Sequence, residues 1–476
     1  MGCTTLLVGK KASFNGSTII ARNDDSPSGI FHVKKLKIID ENKNGEIYKS
    51  KISKIEIKLP KESLKYSLTP NVSLDEGIWG ASGINSKNVG MSATETITSN
   101  PLVLGADPLV KNGIGEEDFV SLILPYINSA KEGVIRLGKL LKEYGTYESN
   151  GIAFNDGNEI WWVETIGGHH FIAKRVKDEE YVVMPNQFGL DNFDFKDAYS
   201  SQKENICSED LKEFVSKFNL DLSFKDSFNP RIAFGSHSDS DHVYNTPRSY
   251  YMLKYFNPNT LDSKFNYTSD DLPWSKIPEK KITIQDIKYI LGSYYQNTEY
   301  NPYLKKSNSI YRPIGVNRTA VLSIIEINNT STWYPSIEWI SFGSNAFNAS
   351  IPFIMEKDTS KVPSYLSNTT LNYNSNNFYW NSRLIGVLAD SHYNKNLIFV
   401  ERYQNTVFNK SYEILFKYLD KYKNNSNLSK ENNNHLIDEI NKELIDMLKK
   451  ETQKVLDNLI YSSSLEMKNS FSRSDN

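Results

Sequence analysis

Cys3 stands two residues from the start of the chain, in Met1-Gly2-Cys3-Thr4-Thr5, and the only other cysteine is Cys207. Met1 is easily trimmed when a small residue such as Gly2 follows. Loss of Gly2 as well would leave a thiol and a free α-amine on one residue. That pair is a self-contained nucleophile and base, because an α-amine titrates near ~7.7–8.0 and a thiol near ~8.5. The amine can take the thiol proton at neutral pH, as in N-terminal threonine nucleophiles. Two further groups fit the same chemistry. A guanidinium such as Arg22 favours the thiolate, and a carboxylate such as Asp25 can orient and hold the α-amine.

The elements that must bring these groups together are local. Thr4 to Val8 is β-branched and aliphatic and reads as a strand. Asn15-Gly16 is the strongest short turn signal, and Thr18 to Ala21 follows as a second strand. Paired antiparallel, the second strand returns its end, Arg22-Asn23-Asp24-Asp25, beside the start of the first. Taken without wider context, a cysteine opening an apolar strand is more often a small buried hydrophobe, and Arg-Asn-Asp-Asp a solvated strand end.

The blocks Gly2-Cys3-Thr4-Thr5, Asn15-Gly16-Ser17-Thr18 and Ala21-Arg22-Asn23-Asp24-Asp25 resemble the start of the PepD-type dipeptidases. These are cysteine peptidases of the N-terminal-nucleophile (Ntn) hydrolase superfamily, related to bile salt hydrolases, penicillin V acylases and secernins. The likeness continues through Met91 to Thr96, Trp161 to His170, Pro185 to Phe188, Tyr311 to Ile314 and Asn317 to Thr319, and covers residues 1 to roughly 400. The resemblance implies a four-layer αββα sandwich of antiparallel sheets and a cofactor-independent, metal-independent peptide hydrolase. Cys3 would be the nucleophile, Arg22 and Asp25 its Arg-x-x-Asp partners, and Asn186 the oxyanion donor. Arg318 would be a second active-site arginine, with Arg312 as the competing candidate. One departure stands out. Aligning Gly83-Ile84-Asn85 with the acylases places Glu95 where they carry an asparagine of the oxyanion hole. An ionised carboxylate cannot donate to an oxyanion, but it can read a substrate's free α-ammonium, so Glu95 is expected to bind the amine of an unblocked dipeptide. Two alternatives remain open: an acylase-type amidase on N-acyl amino acids, bile-salt conjugates or β-lactam side chains, and a non-catalytic, secernin-like binding protein.

Composition narrows the classes. The 476 residues are 39% hydrophobic and 24% charged, with a net charge of −2 and no polybasic stretch, which argues against nucleic acid and anionic membranes as partners. Two cysteines exclude a disulfide framework and fit a reducing compartment. No apolar run reaches the ~18 residues of a membrane span, and no signal-peptide pattern opens the chain, so the expected location is the cytoplasm.

Along the chain, residues 3–100 are strand-rich. Helical spacing first appears from Glu116 to Tyr144, then strands resume at Gly151 to Phe154, Glu159 to Ile166, Phe171 to Val176 and Tyr181 to Met184. Ile52 to Leu59, Trp333 to Phe342 and Leu397 to Tyr403 also read as strands, and Ser208 to Phe218 as a helix. The class is α+β. The expected organisation is residues 1–2 removed on maturation, a catalytic domain over 3–403 and a helical extension over 404–476 with an Asn/Lys-rich linker near 421–434. The last amphipathic helix packs on the core or on another subunit, which leaves a homo-oligomer open. His169-His170 is a candidate lining of the substrate pocket; adjacent residues on a strand point to opposite faces and chelate one ion poorly. His237 to His242 has cation-ligand residue types without a ligand spacing, and reads as a solvated loop.

Overall fold

Two antiparallel sheets face each other in a computed structural model of the chain. It describes residues 2–469 apart from 225–226, 237, 330–333, 357–358, 360 and 426–429, and without the side chains of 93–95, 424–425 and 430–434. The seven-stranded sheet runs in the order Ser275–Lys276, Tyr181–Met184, β1 (Thr4–Val8), β2 (Thr18–Asp25), Thr319–Ile327, Ser336–Phe342 and Ile351–Ile354. The six-stranded sheet runs Asn205–Cys207, His170–Val176, Ile160–Ile166, Asn150–Asn155, Gly90–Thr96 and Ser82–Ile84. β2 packs across on the strands Gly90–Thr96 and Asn150–Asn155. Helices Glu116–Ile123 and Ala130–Tyr144 cover the outer face of the six-stranded sheet, and Thr246–Phe256, Ile284–Leu291 and Phe378–Ser391 cover the other. The layers are therefore helix, sheet, sheet, helix, as the resemblance implied.

Adjacent tryptophans show why both sheets are apolar on both faces. Trp162 belongs to the core between the sheets, and Trp161, one residue earlier, belongs to the core under the helices. Successive strand residues point to opposite faces, so a strand covered on both sides reads as a continuous apolar run.

β1 and β2 pair in the register Thr4↔Asn23, Thr5↔Arg22 and Val8↔Ile19. The connection turns at Gly16, whose φ of +84° is readily adopted only by a residue without a Cβ. Continuing the register by one residue sets Cys3 opposite Asp24, which is how the hairpin delivers Cys3 to the Arg22–Asp25 strand end.

The C-terminal part is helical where a strand and a linker are expected. Leu397 to Tyr403 is not a strand; it lies inside the helix Tyr393–Asn425. Leu-Ile-Phe-Val imitates a buried strand over four residues, but the buried positions Val400, Tyr403, Val407, Leu415 and Tyr418 recur at helical intervals. A domain boundary at 403/404 would cut this helix. Residues 421–425 and 430–434 are helical and not linker, belonging to Tyr393–Asn425 and Lys430–Leu465. The strand assigned to Trp333 to Phe342 begins at Ser336; Trp333 lies outside the described residues. The last helix packs on its predecessor and on the edge strand Ile351–Ile354. There Asn441 accepts from Ile354 N (2.9 Å) and donates to Ile354 O (3.1 Å), pairing backbone groups that an edge strand would leave open. Among the described residues no helix is long and apolar enough to cross a membrane.

Candidate active site

Cys3 is wholly buried at the start of β1. Arg22, reaching from β2, donates through Nη2 to Cys3 Sγ at 2.8 Å. The same nitrogen meets Glu116 Oε1 at 2.6 Å and Asp24 Oδ1 at 3.4 Å, and Lys34 Nζ pairs with Asp24 Oδ2 at 2.7 Å. Burial raises the Asp24 carboxyl, but Lys34 and then Arg22 outweigh it and hold the pKa below the ordinary carboxylate value. Cys3 Sγ, an Asp24 oxygen and a Glu116 oxygen lie within 4.8 Å of one another, a donor set that could grip a cation. The guanidinium of Arg22 bonds all three, so the chain's own cation stands at their centre.

A second cluster surrounds Asp25. Its Oδ1 accepts from Thr319 Oγ1 at 2.6 Å, and its Oδ2 from Arg312 Nη2. That Arg312 nitrogen also donates to the carbonyl oxygen of Gly2, the group joined to the Cys3 nitrogen. Burial opposes the charge on Arg312, but Asp25 and then Tyr244 outweigh it and raise its pKa. Tyr244 closes the cluster. Arg312 and Arg248 both lie over its ring, at 5.0 and 5.2 Å, and its hydroxyl sits so close that a Cβ on Gly2 would come within 2.0 Å of it.

The two arginine candidates stand at different distances from the cluster. Arg312 is the one against Asp25 and Gly2. Arg318 is half-buried and bonds Ser26 O (2.9 Å) and the Tyr244 hydroxyl (2.7 Å), one step from the cluster. Thr319, which opens its strand, spends its side chain on Asp25, so the residue before it faces away.

Asn186 lies at the end of the segment following Tyr181–Met184, and it is positioned by Arg248. Arg248 is fully buried and donates to Cys3 O (2.5 Å), Thr4 Oγ1 (2.6 Å), Asn186 Oδ1 (2.8 Å), Asn245 Oδ1 (2.6 Å) and Tyr244 O (2.8 Å). Arginine has only donors, so the Asn186 oxygen must face it, and the amide NH2 is turned the other way. Asp241 holds Asn245 in turn, at 2.5 Å, so the Ser238 to His242 segment buttresses this arginine, and His237 lies outside the described residues.

Two residues here went unread in the sequence. Arg248 comes from a helix 245 positions from Cys3 and Glu116 from one 94 positions from Arg22. Their only sequence signal was a buried-face position in each helix.

His169 and His170 are clamped by Asp107, through His169 Nδ1 at 2.8 Å and His170 Nδ1 at 2.7 Å, and His170 stacks on Phe214. Among the described residues, no hydrogen bond or ion pair joins either to the Cys3 clusters. Glu95 pairs with Gly151 just past a register shift in its strand, and its side chain lies outside the described residues.

Comparison with known proteins adds a lineage to this geometry. A dipeptidase of Bifidobacterium longum is 50% identical over 428 residues, covering 85% of this chain and 80% of that protein. A probable dipeptidase A of Streptococcus pyogenes is 47% identical over 421 residues, covering 87% and 89%, and dipeptidase A of Lactobacillus helveticus is 40% identical over 403 residues, covering 82% of each. Among solved structures, a mutant conjugated bile acid hydrolase from Clostridium perfringens matches 78% of this chain and all of that one, with a TM-score of 0.28 at 11% identity, too little to bear on the argument. The model of Peptidase family C69 matches residues 2–406, and the chain belongs to that family.

Proposed function

We propose that the chain is a cysteine dipeptidase that matures by losing Met1 and Gly2, with Cys3 as nucleophile. The carrying observation is the 2.8 Å contact of Arg22 with Cys3 Sγ, beside an Asp25 cluster that already grips the Gly2–Cys3 peptide unit. In maturation, Cys3 Sγ attacks the Gly2 carbonyl carbon. Arg312, already on that oxygen, stabilises the negative charge that develops there. The Gly2–Cys3 C–N bond breaks, and water hydrolyses the resulting thioester, freeing the thiol and the α-amine.

In turnover the Cys3 α-amine takes the thiol proton, and the thiolate adds to the dipeptide carbonyl. The proton passes to the leaving amine, a thioester forms, and a water activated by the same α-amine releases the first amino acid. Arg22 favours the thiolate, Asp25 holds the α-ammonium, and the amide NH2 of Asn186 donates to the oxyanion. Two free cysteines favour a reducing, cytoplasmic setting.

Thiol alkylation tests this reading. Burial pushes the Cys207 thiol up to about 11, leaving it inert at neutral pH, so alkylation reports on Cys3. Wild type should cleave unblocked dipeptides and lose that activity on alkylation. Full dipeptide turnover by alkylated protein, or by Cys3→Ala, would remove the nucleophile from the account.

A further inference from the structure

On the Arg22 side of Cys3 stand two carboxylates, Asp24 and Glu116, with a third, Glu148, behind Glu116. Lys34 and Arg22 between them serve Asp24 and Glu116. Glu148 accepts from the backbone N–H of Glu116 at 2.7 Å, and among the described residues no lysine or arginine pairs with it. Glu116 is 3% exposed, yet its second oxygen, Oε2, has no hydrogen-bond partner among the described residues, and neither has the hydroxyl of the neighbouring Tyr147. A buried carboxylate oxygen without a donor is costly. Burial, and then the Glu116 carboxylate, raise the pKa of Glu148, so the pair repels as it stands. Among the described residues, Glu116 Oε2 therefore stands as a carboxylate oxygen without a donor.

Distance fits a substrate ammonium to that oxygen. A carbonyl carbon poised for attack lies about 3–3.5 Å from the nucleophile. The α-nitrogen of the same residue lies about 2.5 Å from that carbon, from standard bond lengths and angle. The α-ammonium therefore sits no more than about 6 Å from the sulfur, and Glu116 presents an oxygen within 4.8 Å of it. Reach from the thiol to the carboxylate matches the span of one residue.

We propose that Glu116, supported by Glu148, binds the α-ammonium of the residue whose carbonyl Cys3 attacks. This rests on the dipeptidase reading and assigns to the first turn of the helix Glu116–Ile123 the amine recognition that the sequence suggested for Glu95. It favours cleavage of the bond after the first residue and disfavours substrates without a free α-ammonium. The arriving ammonium also offsets the carboxylate charge that disfavours the thiolate.

The test compares Ala-Ala with propionyl-alanine, in which hydrogen replaces the ammonium. Wild type should cleave the des-amino compound with a kcat/KM about ten- to a hundred-fold lower, the range of one charge-assisted hydrogen bond. Glu116→Gln should collapse that ratio, and Glu148→Gln should narrow it by raising KM for Ala-Ala. Intact mass establishes that each variant has lost Gly2. Should Glu116→Gln fail to mature, Glu148→Gln carries the test, since its side chain bonds neither Cys3 nor Arg22. A ratio unchanged in the matured variants while Ala-Ala is still cleaved overturns the proposal, as does a ratio abolished by Glu95→Gln alone. Wild type preferring propionyl-alanine would instead defeat the dipeptidase reading itself.

Discussion

Replacing Glu164 by glutamine should stabilise the protein at alkaline pH and do little at acid pH. Glu164 is wholly buried in the strand Ile160–Ile166, with Oε1 accepting from Trp162 Nε1 (3.1 Å), Gly189 N (2.7 Å) and Leu190 N (3.3 Å). It thus anchors the loop that follows Asn186. Burial dominates, its three donors do not outweigh it, and the carboxyl is pushed up to about 7 from an ordinary value near 4.5. A folded pKa raised in this way contributes stability that is fully present below about pH 4.5 and lost as pH rises to about 7, because only the unfolded chain releases the proton easily. A shift of roughly 2.5 units at 1.36 kcal/mol each is about 3 kcal/mol. Glutamine offers the same acceptor and does not titrate. Relative to wild type, Glu164→Gln should therefore gain about 3 kcal/mol between pH 4 and pH 8. With an unfolding entropy of about 1 kcal/mol/K for a chain this long, that is a relative shift in Tm of about 3 °C by calorimetry. Parallel Tm-against-pH curves for the two proteins would refute the argument, since Glu164 would then be ionised in the fold throughout.

Further substitutions probe the other contacts. Gly2→Val would drive a Cβ into the Tyr244 hydroxyl at 2.0 Å, so the purified variant should retain residue 2 in its intact mass, and normal maturation would show that Tyr244 yields freely. Arg248→Lys puts one ammonium in place of five hydrogen bonds, and each buried acceptor left unpaired costs about 1–3 kcal/mol; Tm and dipeptide turnover should fall together, and retention of both would mean that Arg248 does not position Cys3. Asn441→Ala strands the two backbone groups of Ile354 and should lower stability by about 1–3 kcal/mol while kcat of the folded enzyme is kept, read from urea midpoints and steady-state rates.

What could be read from the sequence was what is close together in it. Cys3, Arg22 and Asp25 occupy one hairpin, whose register follows from an Asn-Gly turn and two apolar strands. Glu116 reaches Arg22 beside the thiol, and Arg248 the Cys3 carbonyl, from helices packed on opposite faces of the sandwich, and helical spacing says which face is buried but not what the first turn points at. Arg312 and Arg318 both sit in family-like blocks, which do not tell the two apart. Only the start of the strand at Thr319 decides which side chain turns inward. Leu397 to Tyr403 failed for a different reason: a short β-branched and aromatic run carries too few residues to separate a period of 2 from one of 3.6.

The most direct test is the intact mass of purified, active protein together with that of Cys3→Ala. Wild type should lack both Met1 and Gly2, with dipeptide turnover rising in proportion to the fraction that begins at Cys3, and Cys3→Ala should retain Gly2. Full turnover by a chain still carrying Gly2 would contradict the account, because the base assigned to catalysis would be locked in an amide.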